Sequence, residues 1–170
     1  AKGEAADHYF TQSISWAIIF SIPFVLVGIF LPDKFLALLG ADAGLVELGK
    51  TYLRIILIFA PFFMCNYSVT AFARNDHATS TVMAGSLAGS AFNIVFDYIF
   101  IFPAGLGFSG AALATAFCPC VTMLVCSTHY FSKKCNISFR WKKLSVRYLI
   151  SCCQLGVSAF VGEISSAVIT

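Results

Sequence analysis

The chain has 170 residues, 59% of them hydrophobic and only 11% charged, with a net charge of +3. An ordinary soluble domain is about half apolar and a quarter charged, so this composition excludes a soluble globular protein and implies an integral membrane protein. The Lys and Arg residues do not form a basic face interleaved with stacking aromatics, which argues against nucleic acid as a partner.

The first residue is not Met, and residues 1–8 read as a polar connection rather than a signal peptide, so the sequence is expected to be a piece of a longer chain. Residues 13–31 lie in a stretch without formal charge and predict a first membrane span, with Trp16 near one interface, Pro23 as a kink and Pro32 closing the other end. Residues 32–50 carry Asp33, Lys34, Asp42, Glu47 and Lys50 around a short apolar piece at 35–39, the pattern of a connection with an interfacial turn. Arg54 and Arg74 bracket 19 uncharged residues, a second span with Pro61 as its kink.

The next 56 residues, 77–132, hold a single formal charge, Asp97, and a single break, Pro103-Ala104-Gly105-Leu106-Gly107. They predict a third span over 79–102 and a fourth over 108–131, joined as a tight hairpin. A basic segment follows at 132–147, with Lys133, Lys134, Arg140, Lys142, Lys143 and Arg147, and then a fifth span over 148–170 interrupted only by Glu163. The fold class is therefore an all-α integral membrane protein, a polytopic helical bundle of about five transmembrane helices. Eight basic residues fall on one side of that arrangement and three on the other, so the 132–147 linker is expected to be cytoplasmic and the hairpin turn outside.

Asp97 is the chemically sharpest residue. A carboxylate inside a span costs about 2.5 to 3.5 kcal/mol on insertion scales, so it calls for a partner, a wet cavity or a cation. Asn93 lies four residues earlier on the same helix face, able to hydrogen-bond the carboxylate or to join it in oxygen coordination. The stripe continues at period four through Gly89 and Gly85, and the fourth span offers Gly107, Ala111 and Thr115, with Gly110 and Ala114 beside them, so the two helices should approach closely. At about 1.5 Å of rise per residue from the hairpin turn, Asp97 lies about 9 Å deep and Thr115 about 12 Å, close enough to meet. Asp97, Asn93 and Thr115 would form a compact oxygen site suited to Na⁺ or a proton. The simpler reading has Asp97 reaching the outer interface or pairing with a base on another helix.

Glu163 is a possible second carboxylate, at a matching depth of about 22 Å from the start of its span, and Asn66 and Tyr67 in the second span are candidates for cavity lining. Most of the seven cysteines sit in or beside apolar runs as small packing residues, and Cys118-Pro119-Cys120 and Cys152-Cys153 lack His or carboxylate at ligand spacing. No metal site is expected beyond a Na⁺ at Asp97, and no cofactor. His8 and His129 fall at interfaces and need no special role. No nucleophile, base and orienting group appear together and no phosphate loop is present, so no enzyme is expected.

The string Asn93-Ile94-Val95-Phe96-Asp97, followed by Gly105-Leu106-Gly107-Phe108-Ser109-Gly110-Ala111-Ala112-Leu113-Ala114-Thr115, resembles the fifth and sixth helices of the multidrug and toxic compound extrusion (MATE) family. Tyr52-Leu53-Arg54 resembles the start of that family's fourth helix, and the basic segment resembles the link between its two lobes. The resemblance implies helices three to seven of a twelve-helix fold. Residues 1–131 would be the last four helices of the N-terminal six-helix lobe, 132–147 the inter-lobe linker, and 148–170 the first helix of the C-terminal lobe. It also implies a plasma-membrane antiporter that exports cationic or amphipathic compounds in exchange for Na⁺ or H⁺, with Asp97 as the coupling carboxylate. Its partners would be the bilayer, a small cationic substrate and the remaining helices of the parent chain. Two rivals stand beside it. A lipid-linked saccharide flippase would favour basic residues inside the spans, and a non-transporting structural subunit would need a partner surface.

Overall fold

The computed structural model describes residues 2–131 and, beyond them, Cys135, Val146, residues 148–150, Cys153, Val157, Val161, Ile164 and Ser165. Glu163, most of the 132–147 linker and much of the 148–170 span lie outside the described residues. Within residues 2–131 six helices follow in order: α1 (Lys2–Phe30), α2 (Pro32–Leu38), α3 (Ala43–Ile58), α4 (Ala60–Asn75), α5 (Thr79–Ile101) and α6 (Gly107–Tyr130). Helix is what such a sequence must adopt in hydrocarbon, because it pairs every backbone N–H and C=O within the segment. Three stretches, Ala6–Phe30, Thr79–Ile101 and Gly107–Tyr130, are each long and apolar enough to cross a membrane, and the bent α3–α4 pair makes a fourth.

Among the described residues the interior mixes small apolar residues with polar ones, and large apolar side chains face outward. Thr11, Gln12 and Ser21 are almost fully buried, while Phe30, Leu48, Ile94 and Leu124 are among many large apolar side chains facing outward. That distribution suits an apolar solvent, where outward-facing side chains need not hide from water and packing favours small or hydrogen-bonded groups inside.

Residues 32–50, read as a connection with an interfacial turn, form the short helix α2 and, from Ala43, the opening turns of the second span. Pro32 opens α2, where its missing N–H is no loss. The helix closes with Gly40 at φ +90, the Gly40 N–H bonded to the Ala37 carbonyl and the Ala41 N–H to the Leu36 carbonyl, the paired bonds of a glycine-terminated helix. Asp42 then caps α3 by accepting from the Leu45 N–H at 2.8 Å. The second span therefore starts at Ala43 and not at Arg54. Glu47 and Lys50, whose charges marked the segment as a loop, sit on an already formed helix.

Arg54 is consequently well inside α3, and its guanidinium reaches the end of α1. Its Nε donates to the Gly28 carbonyl at 3.4 Å and its Nη2 to the Ile29 carbonyl at 3.2 Å. A cation there satisfies carbonyls that have no partner within the helix and complements the negative end of the α1 dipole.

Pro61 does more than kink the second span. The helix stops at Ile58, resumes at Ala60, and the two pieces lie 46° apart. Proline at the second position of α4 has no N–H for the Leu57 carbonyl, and its ring crowds the preceding turn. Pro23 and Pro119, by contrast, stay within continuous helices.

The α5–α6 hairpin matches its predicted limits to one residue at each end. Its turn depends on Gly105 (φ +65) and Gly107 (φ +52), left-handed conformations that a side chain would strain. These two helices make the most extensive packing among α1 to α6. Gly85 and Gly89 of α5 lie against Cys118, Thr122 and Cys126 of α6, and Gly110 of α6 lies against the backbone of Phe100. Thr122 Oγ1 points to the Gly85 carbonyl at 3.3 Å and to its own helix's Cys118 carbonyl at 3.2 Å. The tightest α6 face is thus Gly110, Ala114, Cys118, Thr122 and Cys126, beside the expected Gly107–Ala111–Thr115 stripe. Helix α6 also packs on α3 and α4, so more than one of its faces is covered.

Candidate functional site

The three residues of the candidate oxygen site all lie on the hairpin. Asn93 and Asp97 share a face of α5, and Thr115 projects from α6. The glycine contacts hold the two helices close enough for Asn93 Nδ2 to approach Thr115 Oγ1 at 3.5 Å, a long hydrogen bond. One turn nearer the hairpin, Asp97 is half-buried, and its Oδ1 is shielded from solvent with no hydrogen-bond partner among the described residues. A carboxylate oxygen that has lost its water and gained no donor is costly. A proton, a bound cation or a donor from elsewhere in the parent protein would relieve that cost.

The chemistry offered is that of hard oxygen donors: a carboxylate, an amide carbonyl and a hydroxyl. Such a set suits Na⁺ or H⁺ and offers no soft ligand to a transition metal. The flanking side chains are aromatic. Phe92 stacks on Phe96 with centroids 3.9 Å apart, Phe96 meets Phe100 edge-on at 5.3 Å, and Tyr52 of α3 stacks on Phe108 at the hairpin end of α6 at 4.8 Å.

Asn66 and Tyr67, the candidates for cavity lining, differ in burial. Asn66 is half-buried with its Oδ1 shielded and unpartnered among the described residues, whereas Tyr67 is 74% exposed. Adjacent helical residues point about 100° apart, so only one of them faces the bundle. Ser68, next along α4, lines a cavity of about 260 Å³ with Ser13, Trp16, Ala17 and Phe20 of α1 and with Leu149 and Cys153. Trp16, expected near an interface, has its indole N–H buried without a partner among the described residues, a donor available to whatever occupies that region. Nothing in local spacing signals this role, because the cavity forms only where α1 and α4 pack.

The MatE family model matches residues 1–99 of the chain, through Asn93 and Asp97. Two curated relatives are the multidrug export protein MepA of Staphylococcus saprophyticus and that of Staphylococcus aureus. The first is 31% identical over 155 residues, covering 89% of this chain and 34% of the relative. The second is 29% identical over 154 residues, with the same coverage. A solved structure described as the inward-facing conformation of a multidrug resistance MATE family transporter of the MOP superfamily superposes with a TM-score of 0.78 at 26% identity, covering 92% of this chain and 36% of that one. The chain thus spans about a third of the length of the proteins it matches. On the family match, the fold and these relatives, the chain belongs to the multidrug and toxic compound extrusion (MATE) family, whose members are membrane transporters and not enzymes.

Proposed function

We propose that this chain forms part of a secondary antiporter that exports cationic or amphipathic compounds across the plasma membrane in exchange for Na⁺ or H⁺. Asp97 is its coupling carboxylate, and Asn93 and Thr115 complete the site. The observation that carries the reading is the shielded, unpartnered Asp97 Oδ1 one turn from the Asn93–Thr115 contact. The multidrug export named for the relatives supports the substrate class.

In this reading residues 1–131 belong to the first lobe, 132–147 form a cytoplasmic linker, and 148–170 open the second lobe, with Glu163 as a further carboxylate of the exchange pathway. The bilayer, a small organic cation and the remaining helices of the parent chain are its partners, with no cofactor.

Exchange follows from differential affinity. A proton or Na⁺ entering from outside neutralises Asp97 and stabilises the arrangement in which that oxygen is shielded. A cationic substrate stabilises the arrangement in which the carboxylate is charged and accessible. Each ligand shifts the balance only by the difference in its affinity for the two arrangements, and converting a 1:99 mixture to 99:1 takes about 5.5 kcal/mol of such difference. The break between α3 and α4 is the place where the bundle can bend.

The test is efflux of a fluorescent organic cation from proteoliposomes carrying the full-length protein, under an imposed Na⁺ or pH gradient, native against Asp97→Asn. One gradient should drive efflux and the substitution should abolish it. Efflux driven by neither gradient, or an unaffected Asp97→Asn protein, would overturn the reading.

A further inference from the structure

At the opposite end of the hairpin from its turn, three residues far apart in sequence come together. Asp76 follows the last residue of α4, His129 lies in the final turn of α6, and Cys135 lies four residues past the end residue Phe131. His129 Nε2 and Asp76 Oδ2 are 2.9 Å apart, with side chains only 10% and 6% exposed. One donor atom from each of Asp76, His129 and Cys135 lies within 4.8 Å of the other two.

From this geometry we propose a binding site for a borderline-soft divalent cation, of the Zn²⁺ or Co²⁺ class, held by Asp76, His129 and Cys135. A carboxylate, an imidazole and a thiolate are the ligand types such ions take, and a hard ion such as Na⁺ or Mg²⁺ would not select the sulfur. The Asp76–His129 contact alone would be an ordinary carboxylate–imidazole pair, and Cys135 is what makes the set specific. In tetrahedral coordination the donors stand about 3.3 to 3.6 Å apart. The Asp76–His129 pair therefore opens slightly, and Cys135 closes in from within 4.8 Å by at most about 1.2 to 1.5 Å, movements within reach of side-chain rotation. Binding releases the thiol proton, and the carboxylate and thiolate together balance the dication. The fourth position is left to water or to another ligand.

Packing and hydrogen bonds tie together the elements that carry Asp76 and His129. The Tyr130 hydroxyl, beside His129, donates to the Val69 carbonyl of α4 at 2.8 Å. Ala73, Ala78, Val82 and Cys126 form a buried cluster between the same helices. Asp76 sits in a turn closed by the Ala78 N–H to the Ala73 carbonyl at 2.9 Å. Two donors are thus held in place before any metal arrives. The third comes from the segment after α6, so a bound ion ties that segment to the α4–α5 turn. The site lies apart from Asp97 and does not depend on the coupling reading.

Co²⁺ titration of the purified, metal-stripped protein, followed by absorption, is the test. A thiolate-to-cobalt charge-transfer band with tetrahedral d–d intensity should appear, be displaced by Zn²⁺, and be lost in Cys135→Ser. His129→Gln and Asp76→Asn should weaken Co²⁺ binding at least about ten-fold. Zn²⁺ should raise the melting temperature of the native protein but not of Cys135→Ser, whose metal-free melting temperature should match the native value. The proposal is overturned if no thiolate band forms at saturating Co²⁺, or if the band survives Cys135→Ser and so belongs to another cysteine. It is also overturned if His129→Gln and Asp76→Asn bind as tightly as native, which would leave a lone thiolate.

Discussion

Two pairs of helices in this bundle are joined in opposite ways. Helices α5 and α6 turn back on each other through a Pro-Gly loop with two glycines at positive φ, and glycines then let their backbones come almost into contact. Helices α3 and α4 run on through the single residue Phe59, bent 46°, with little packing between them. Glycine removes a side chain and draws two helices together, whereas Pro61 removes a backbone donor and lets one span break. The proposed oxygen site would lie on the tightly packed pair, and the bend lies on the pair with little packing.

The largest stability effect should come from breaking the tight pair. A Cβ on Gly110 would lie 2.8 Å from the carbonyl carbon and oxygen of Phe100, and backbone atoms cannot step aside. Gly110→Leu should cost at least about 1 to 3 kcal/mol, seen as a lower melting temperature of the purified protein. An unchanged value would mean that the hairpin is looser than described. Closing the bend should act on turnover instead. Pro61→Ala returns a donor for the Leu57 carbonyl, so the span should straighten, and export should fall several-fold while the melting temperature holds or rises. Full export by the straightened span would remove the bend from the transport cycle.

Smaller effects sharpen the contrast along α4 and in the turn after it. His77 takes φ +61 in the α4–α5 turn, a conformation usually given to glycine. His77→Gly should relieve up to about 1 kcal/mol of strain and raise the melting temperature. Tyr67 is 74% exposed, so Tyr67→Ala should shift stability by less than about 0.5 kcal/mol. A larger loss on thermal unfolding would mean that Tyr67 packs against something.

The parts of this architecture that could be read from sequence are those governed by local pattern. The limits of α5 and α6 follow from one long apolar stretch and one Pro-Gly break. Helical rise counted from that break sets Asp97 near the level of Thr115, whereas the contact formed is Asn93 to Thr115, one turn deeper on α5, and Asp97 Oδ1 has no hydrogen-bond partner among the described residues. The start of α3 was obscured because Glu47 and Lys50 look like loop charges, although Asp42 three residues before Leu45 carries a helix-capping signal. The break at Phe59 needs the backbone, since a proline within an apolar run can leave a helix unbroken, as Pro23 does. The α6 register was offset because α6 meets three helices, and a small-residue stripe identifies only one face. The Asp76–His129–Cys135 cluster has no spacing signature, since its members meet only through the packing of α4 against α6.

The coupling claim is tested most directly by what substrate binding releases. The full-length protein is equilibrated in weakly buffered detergent solution with Na⁺ present, and an organic cation is added while pH and free Na⁺ are followed. Substrate binding should expel a proton or a Na⁺, and Asp97→Asn should bind the substrate without expelling either. Release that persists unchanged in Asp97→Asn, or native binding with no release at all, would contradict the assignment of Asp97 as the coupling carboxylate.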